Sequence, residues 1–457
     1  MGPADRRSDP AQTMSASEPL PPPTARLSGA RVLVAHPGAE LYGSDRVLLE
    51  SVVAMVGAGA SVEVTVPAAG PLIEQLERAG ATVSIEPALV LRKSVLSPPN
   101  WPSTIASAVR AVGASRRLLR PKPDLVYVST VTLPLWPLLA RSRGVPVLAH
   151  IHEGEAGASP LMLKALYAPY LSATATIANS EFSRSVIGRA YPSLARRTRV
   201  VYNGVAGPVF ASPARNSLEG RPVRLAYVGR LSPRKGTDLV ITAAAELVHD
   251  DADIEVEILG DAFAGYEWFA DELHETVTRL GMDSRVEFAG FREHVWTDLQ
   301  WADVVVIPSR VGEPFGNTAV EAALAARPLV VSESSGLIEA TEGLPGVRRV
   351  PPDDASAIAD AVREIIAHWT VHRDQAEAAA RLAALRFDVE RYRDSIVELI
   401  ASLSRPLRGS APGATTGASS GIRRDPVARS EALPRRHTRR PWRSRPREPG
   451  PRHPTSR

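Results

Sequence analysis

Cysteine is absent from this 457-residue chain. That excludes disulfides and thiolate-held metals, and nothing argues for an oxidising compartment. Long apolar runs are missing too. None reaches the ~18 residues a membrane span needs, and the nearest approach, Asp124–Ala140, is broken by Pro134 and Pro137. Residues Met1–Leu27 carry Pro, Ser and charge without the apolar stretch of a signal peptide. These absences make the cytoplasm the expected location. Nucleotide fingerprints are also lacking. No G-x-G-x-x-G follows the first strand-like run, which argues against dinucleotide binding and a dehydrogenase. A Walker A loop fails because Arg234 stands where Gly is required and Gly236 where Ser or Thr is required. His150 and His152 lie two apart without the H-E-x-x-H spacing or an evident third ligand, so no metal site is expected.

What is present suits two domains. Hydrophobic residues make up 44% of the chain, enough for real cores. The net charge is +4, but residues 405–457 hold 14 Arg against 3 acids, leaving −7 for everything before them. The basic character sits in a Pro-, Arg-, Ser- and Gly-rich tail. A nucleic-acid-binding core would carry it on the folded part, so nucleic acid is not an expected partner.

Short β-branched runs alternate with amphipathic stretches, which predicts parallel sheets with right-handed crossovers. Strands are expected at Arg31–Ala35, Val62–Val66, Leu125–Ser129, Val145–Ala149 and Ala175–Ala178. After a Pro-rich break at Gly207–Arg221 the same grammar restarts, without a close repeat of the first half. Its strands are expected at Val223–Val228, Ile254–Leu259, Arg285–Ala289, Val304–Pro308 and Leu329–Ser332. Phe387–Ser402 reads as the last ordered helix.

Four loops follow these strands. In Ser309–Glu321 (SRVGEPFGNTAVE), Glu313 lies on a turn shaped by Pro314 and Gly316, and a helix starting near Asn317 offers unpaired N–H groups to an anion. Glu321, one turn inside that helix, suits a vicinal diol such as ribose; the plainer reading is acids placed by the helix dipole. In Tyr227–Gly236 (YVGRLSPRKG), Arg230 and Lys235 flank a glycine turn opened by Gly229, which suits a diphosphate or else a solvated basic loop. His36–Asp45 (HPGAELYGSD) has Gly43 where a phosphate or sugar can approach, or is an ordinary strand–helix turn. In AHIHE, His150 and His152 share a face at a strand end, with His152 a candidate hydrogen-bonding group of the site.

Taken together, these residues resemble the retaining family 4 glycosyltransferases. The Glu313-Pro-Phe-Gly…Glu321 spacing matches the E-x7-E signature; Gly229-Arg230…Lys235-Gly236, Val201–Val205 and Ala302-Asp-Val…Pro308-Ser309 follow in the family's order. The resemblance spans roughly Arg31 to Ser402. It implies a GT-B fold, with two Rossmann-like domains facing across a cleft. The implied layout is a disordered extension at 1–29, an acceptor domain at 30–206, a linker at 207–221, a nucleotide-sugar domain at 222–384, a crossover helix at 385–403 and a disordered basic tail at 404–457. By resemblance, Glu321 binds the ribose hydroxyls, Arg230 and Lys235 neutralise the diphosphate, and Glu313 and His152 lie at the transferred sugar. Phe315, Gly316 and Asn317 present backbone amides; Gly229 and Gly43 lie near phosphate, and Phe291 near the base. The run Ser334–Glu339 departs from the family's Gly-Gly pattern, and Ala206 stands where an aspartate is common.

The resemblance implies metal-independent transfer, with retention of anomeric configuration, from a nucleotide-diphosphate sugar to a glycan, lipid or small-molecule acceptor. No bound cofactor is implied. Two other readings keep the fold: a sugar-nucleotide epimerase, disfavoured by the E-x7-E spacing, and an inactive sugar-nucleotide-binding scaffold, disfavoured by the retained charged residues. The Arg-rich tail with Trp442 fits either an anionic membrane surface or solvent.

Overall fold

A computed structural model describes residues 26–91, 101–154, 157–210, 212–263 and 265–404. The tail with Trp442 lies outside the described residues, as does all but the last few residues of the expected N-terminal extension. Two all-parallel sheets form the molecule. The first has β1 (Arg31–Ala35), β2 (Ser61–Val66), β3 (Thr82–Ile85), β4 (Leu125–Val128), β5 (Val147–Ile151), β6 (Ala175–Ala178) and β7 (Thr198–Val200), in the order β3-β2-β1-β4-β5-β6-β7. The second has β8 (Val223–Val228), β9 (Ile254–Leu259), β10 (Val286–Gly290), β11 (Val304–Ile307), β12 (Leu329–Ser332) and β13 (Arg348–Val350), in the order β10-β9-β8-β11-β12-β13. Central strands such as β4, β5, β11 and β12 are buried along their whole length, as sheets covered by helices on both faces require.

In the first domain, α1 (Gly43–Gly57) and α2 (Leu72–Arg78) share one core with β1 and β2. On the opposite face lie α3 (Trp101–Leu118), α4 (Leu135–Ser142), α5 (Pro160–Tyr167), α6 (Glu181–Ala190) and α7 (Pro192–Arg197), over a separate core built on β4, β5 and β6. The second domain is covered by α8 (Thr237–His249), α9 (Glu267–Arg279), α10 (Trp296–Trp301), α11 (Asn317–Leu324), α12 (Ser335–Thr341), α13 (Ala355–Ala367) and α14 (Trp369–Arg386). The last helix, α15 (Val389–Leu403), leaves the second domain and buries Tyr392, Ile396 and Ile400 in the core of β1, β2 and α1.

Several boundaries differ from the sequence expectation for physical reasons. The β5 ladder starts at Val147 instead of Val145 because Pro146 has no N–H to give; its carbonyl instead accepts from Val126 at 2.9 Å. The last helix starts at Val389 instead of Phe387. Asp388 caps it, accepting from the Arg391 N–H at 2.7 Å, while Phe387 packs edge-on against Phe315. Strands β3, β7 and β13 have only three or four residues, too few for a period, and α14 was not foreseen.

The chain passes between the domains twice, at Val205 and at Phe387, and these points touch: the Val205 N–H donates to the Phe387 carbonyl at 3.0 Å. Gly204 lies so close to α15 that a Cβ there would sit 2.6 Å from Tyr392 Cβ and 2.8 Å from Val389 Cα. Gly204→Ala is therefore expected to destabilise the protein by about 1–3 kcal/mol through overpacking, read from urea unfolding. An unchanged midpoint would show that this crossing is loose.

Candidate functional site

In open α/β sheets, ligands bind outside the carboxyl ends of the strands where strand order reverses. Here those points are the β1/β4 and β8/β11 pairs. The loops leaving β1, β5, β8 and β11 meet around one cavity of about 870 Å³. The candidate site residues Gly43, His152, Gly229, Arg230, Lys235, Phe291, Glu313, Phe315, Gly316, Asn317 and Glu321 line it, whereas His150 does not.

At one end Lys235 Nζ lies 2.8 Å from Glu313 Oε1, and the Ser309 hydroxyl donates to the same oxygen at 2.9 Å. Arg234 stands 3.7 Å from it. Burial alone would raise the Glu313 carboxyl, but the Lys235 and Arg234 charges with these hydrogen bonds outweigh it and hold the group at about 2. The sequence reading set Lys235 beside Arg230 as a cation pair. In the structure both cations line the cavity; Lys235 pairs with Glu313, and the Arg230 guanidinium lies over the rings of Tyr42 and Phe263, 5.0 and 5.2 Å from their centres. Phe291 meets the Tyr42 ring edge-on at 6.0 Å.

Gly316, at φ +104°, caps the start of α11, and a Cβ there would strike Leu337 Cδ2 at 2.6 Å. Phe315 turns its ring into the core, leaving only its backbone for the cavity. Glu321 is buried, and burial raises its carboxyl against the opposing charge of Arg46. Arg46, on α1, was not identified from sequence. Its Nη1 reaches Glu321 Oε1 at 3.3 Å, and its Nη2 donates to the carbonyls of Arg292 (3.3 Å) and Glu293 (2.7 Å). Asn317 also bridges the cleft, donating to the Gly43 carbonyl at 3.3 Å and accepting from Asn203 Nδ2 at 2.8 Å. The divergent run Ser334–Glu339 makes a further bridge: Glu339 accepts from the N–H groups of Glu181 and Phe182, at 2.6 and 3.0 Å.

His152 follows β5. Glu153 fixes the turn by accepting from Thr130 Oγ1 and from the N–H groups of Val131 and His152. Both ring nitrogens of His152 are buried without a hydrogen-bond partner. Burial first, then His36 nearby, drives its imidazole down to about 3 against a small opposing effect of Asp45. His150 packs its ring 3.8 Å from that of His152 and bonds Tyr127 at 2.5 Å. His36 is held between Ser129 (2.5 Å) and Asp45 (2.7 Å), and Asp45 also accepts from the Tyr42 N–H. No group of three potential metal-ligating side chains occurs among the described residues.

Two family descriptions match the chain: Glycosyltransferase Family 4 over residues 42–206 and Glycosyl transferases group 1 over residues 222–368. Together they span more than half of it. The chain belongs to the family 4 glycosyltransferases. Similar curated members include the alpha-D-kanosaminyltransferase of Streptomyces kanamyceticus, 32% identical over 40% of this chain and 46% of that protein. A D-inositol 3-phosphate glycosyltransferase of Catenulispora acidiphila is 30% identical over 54% of this chain and 62% of that one. The alignments thus span less than two thirds of the length of these relatives. Among solved structures, Anabaena HepE in complex with UDP superposes with a TM-score of 0.68 at 23% identity, covering 82% of this chain and 100% of that one. The fold of this family member is accordingly GT-B.

Two outcomes follow. Lys235→Met leaves Glu313 buried without its nearest cation, at an expected cost of about 3 kcal/mol, the lower end for an orphaned charge because the cavity admits water; chemical unfolding measures it. For pH, both Glu313 and His152 have depressed values. The unfolded chain therefore takes up their protons first, and their contributions fade as pH falls, from about 4.5 towards 2 for Glu313 and from about 6.5 towards 3 for His152. The raised carboxyl of Glu257, at about 7, acts the opposite way over the same range, so the expected outcome is a difference: between pH 6.5 and 5 the melting temperature of His152→Asn falls less, or rises more, than that of the wild type. An unaltered slope in the variant would contradict this.

Proposed function

We propose that this protein moves a glycosyl group from a nucleotide-diphosphate sugar to an acceptor hydroxyl, with retention at the anomeric carbon and without a metal. The observation that carries the reading is the convergence of the Lys235–Glu313 pair, Arg230 and Glu321 on one cavity that both domains line. In this reading the nucleotide lies along the second domain, with its ribose hydroxyls on Glu321 and its diphosphate near Arg230, Lys235 and the start of α11. The bond from the anomeric carbon to the diphosphate breaks, and its electron pair leaves with the diphosphate. The cations hold that charge, the electrostatic contribution that usually dominates such catalysis. The acceptor oxygen bonds the anomeric carbon from the same face, and its proton passes to the departing phosphate oxygen. Neutral His152, with both nitrogens unengaged, is free to hydrogen-bond the sugar. Glu313 stays ionised and tied to Lys235, which suits a positioning carboxylate better than the nucleophile of a hydrolase. The acceptor is assigned to the first domain as a glycan, lipid or small molecule.

Thermal shift against UDP, GDP, ADP and TDP, then their sugars, is expected to select one base. Release of that nucleotide should follow with EDTA present, and the anomeric proton coupling of the product should match the donor's. Arg230→Ala and Lys235→Ala are each expected to lower kcat about 10²–10³-fold. Glu321→Ala should weaken nucleotide binding. Nucleotide binding without transfer or donor hydrolysis would favour the scaffold reading, and an inverted product would overturn retention.

A further inference from the structure

Of the two histidines at the end of β5, His152 lines the cavity and His150 does not. His150 is fully buried within β5 and has no part in the transfer described above. Its surroundings give it one. Nothing hydrogen-bonds the His152 ring, since both nitrogens are buried without a partner. The torsion that turns an imidazole about its Cβ–Cγ bond is soft, so packing must set the plane of this ring. The ring packed on it is that of His150, with centres 3.8 Å apart and planes at 41°. Burial, and then the neighbouring His152, hold the His150 imidazole well below the usual histidine range. The two meet as neutral rings.

His150 is pinned in turn by a chain of hydroxyls. Ser51 on α1 donates to the Val47 carbonyl at 3.0 Å, which leaves its oxygen to accept from Tyr392 on α15 at 2.6 Å and from Tyr127 on β4 at 3.2 Å. With both phenol protons so placed, the 2.5 Å contact between Tyr127 and His150 has Nδ1–H donating to the phenol oxygen. The opposite sense would put a proton on the buried, unpartnered Nε2 of His150. The Tyr127 ring also stands perpendicular to the His150 ring, 6.0 Å from it. Strand β4, α1 and α15 thus converge on His150 through groups that do not line the cavity. A buried network kept for stability alone is expected to satisfy every member. This one ends on a bare Nε2 and against a ring of the site.

We propose that His150 is a positioning residue: its ring, held by the Tyr127–Ser51–Tyr392 chain, sets the plane in which His152 meets the donor sugar. The proposal rests on the reading of His152 as a group that hydrogen-bonds that sugar.

The test uses the full-length protein with UDP, GDP, ADP and TDP and their glucose, galactose, mannose and N-acetylglucosamine conjugates, taking the pair in which the sugar adds most affinity to the wild type. The readouts are nucleoside diphosphate affinity, the increment the sugar adds, and the rate of nucleotide release from the conjugate. His150→Leu is expected to lower the rate about tenfold, as for a misplaced group, and to abolish the increment while nucleoside diphosphate affinity stays unchanged. Tyr127→Phe, which keeps its ring, should act in the same direction more weakly. In a His152→Asn background neither substitution should change the rate by more than about twofold, because the residue they act through is gone. Losses that persist undiminished in that background, or nucleoside diphosphate affinity that falls in step with melting temperature, would overturn the proposal in favour of a structural network. A normal His150→Leu beside a deficient His152→Asn would overturn it and leave the sugar-binding reading intact. A normal His152→Asn, or a wild type to which no sugar adds affinity, would overturn both.

Discussion

The ion pair between Lys235 and Glu313 joins the two loops that leave β8 and β11, and both partners line the cavity. Each partner is tolerable in the interior only because of the other, since an isolated charge there would lose its hydration without return. Ser309 and Arg234 complete the arrangement. The result is a rigid ionised carboxylate beside an ammonium, at the carboxyl end of a sheet where helix starts also point. This is a place where an anion loses little by leaving water.

The opposite wall obeys the same rule with different groups. Glu321 is buried and answered by Arg46 from the first domain, and Asn317 ties the start of α11 to Gly43 and Asn203. Glu339 holds the start of α6 in the same way. The cleft is therefore crossed by polar contacts between the two domains. The two touching crossings at Val205 and Phe387 lead into α15, whose Tyr392 bonds Ser51 on α1 at 2.6 Å.

Much of this was legible in one dimension. Both sheets show as β-branched runs separated by amphipathic stretches, and β1, β6, β8, β9 and β12 fall on the residues their patterns indicate. Burial on both faces makes such strands nearly continuous in apolar residues. The short edge strands β3, β7 and β13 were not legible, because three or four residues carry no period. The start of β5 was displaced by a proline whose missing N–H matters only once a ladder exists.

The sequence by itself determined the chemistry available: which loops follow strands, that acids and cations sit on them with fixed spacing, and that no thiol can hold a metal. It did so because strand, turn and helix start are local properties, written in neighbouring residues. Only the tertiary structure decided the partnerships. Lys235 turns to Glu313 and leaves Arg230 to the rings of Tyr42 and Phe263, Arg46 comes from 275 positions away to meet Glu321, and Phe315 is spent on the core. These pairings depend on two sheets closing on a shared space, where charge must be neutralised by whatever lies within a few ångströms, however distant it is along the chain.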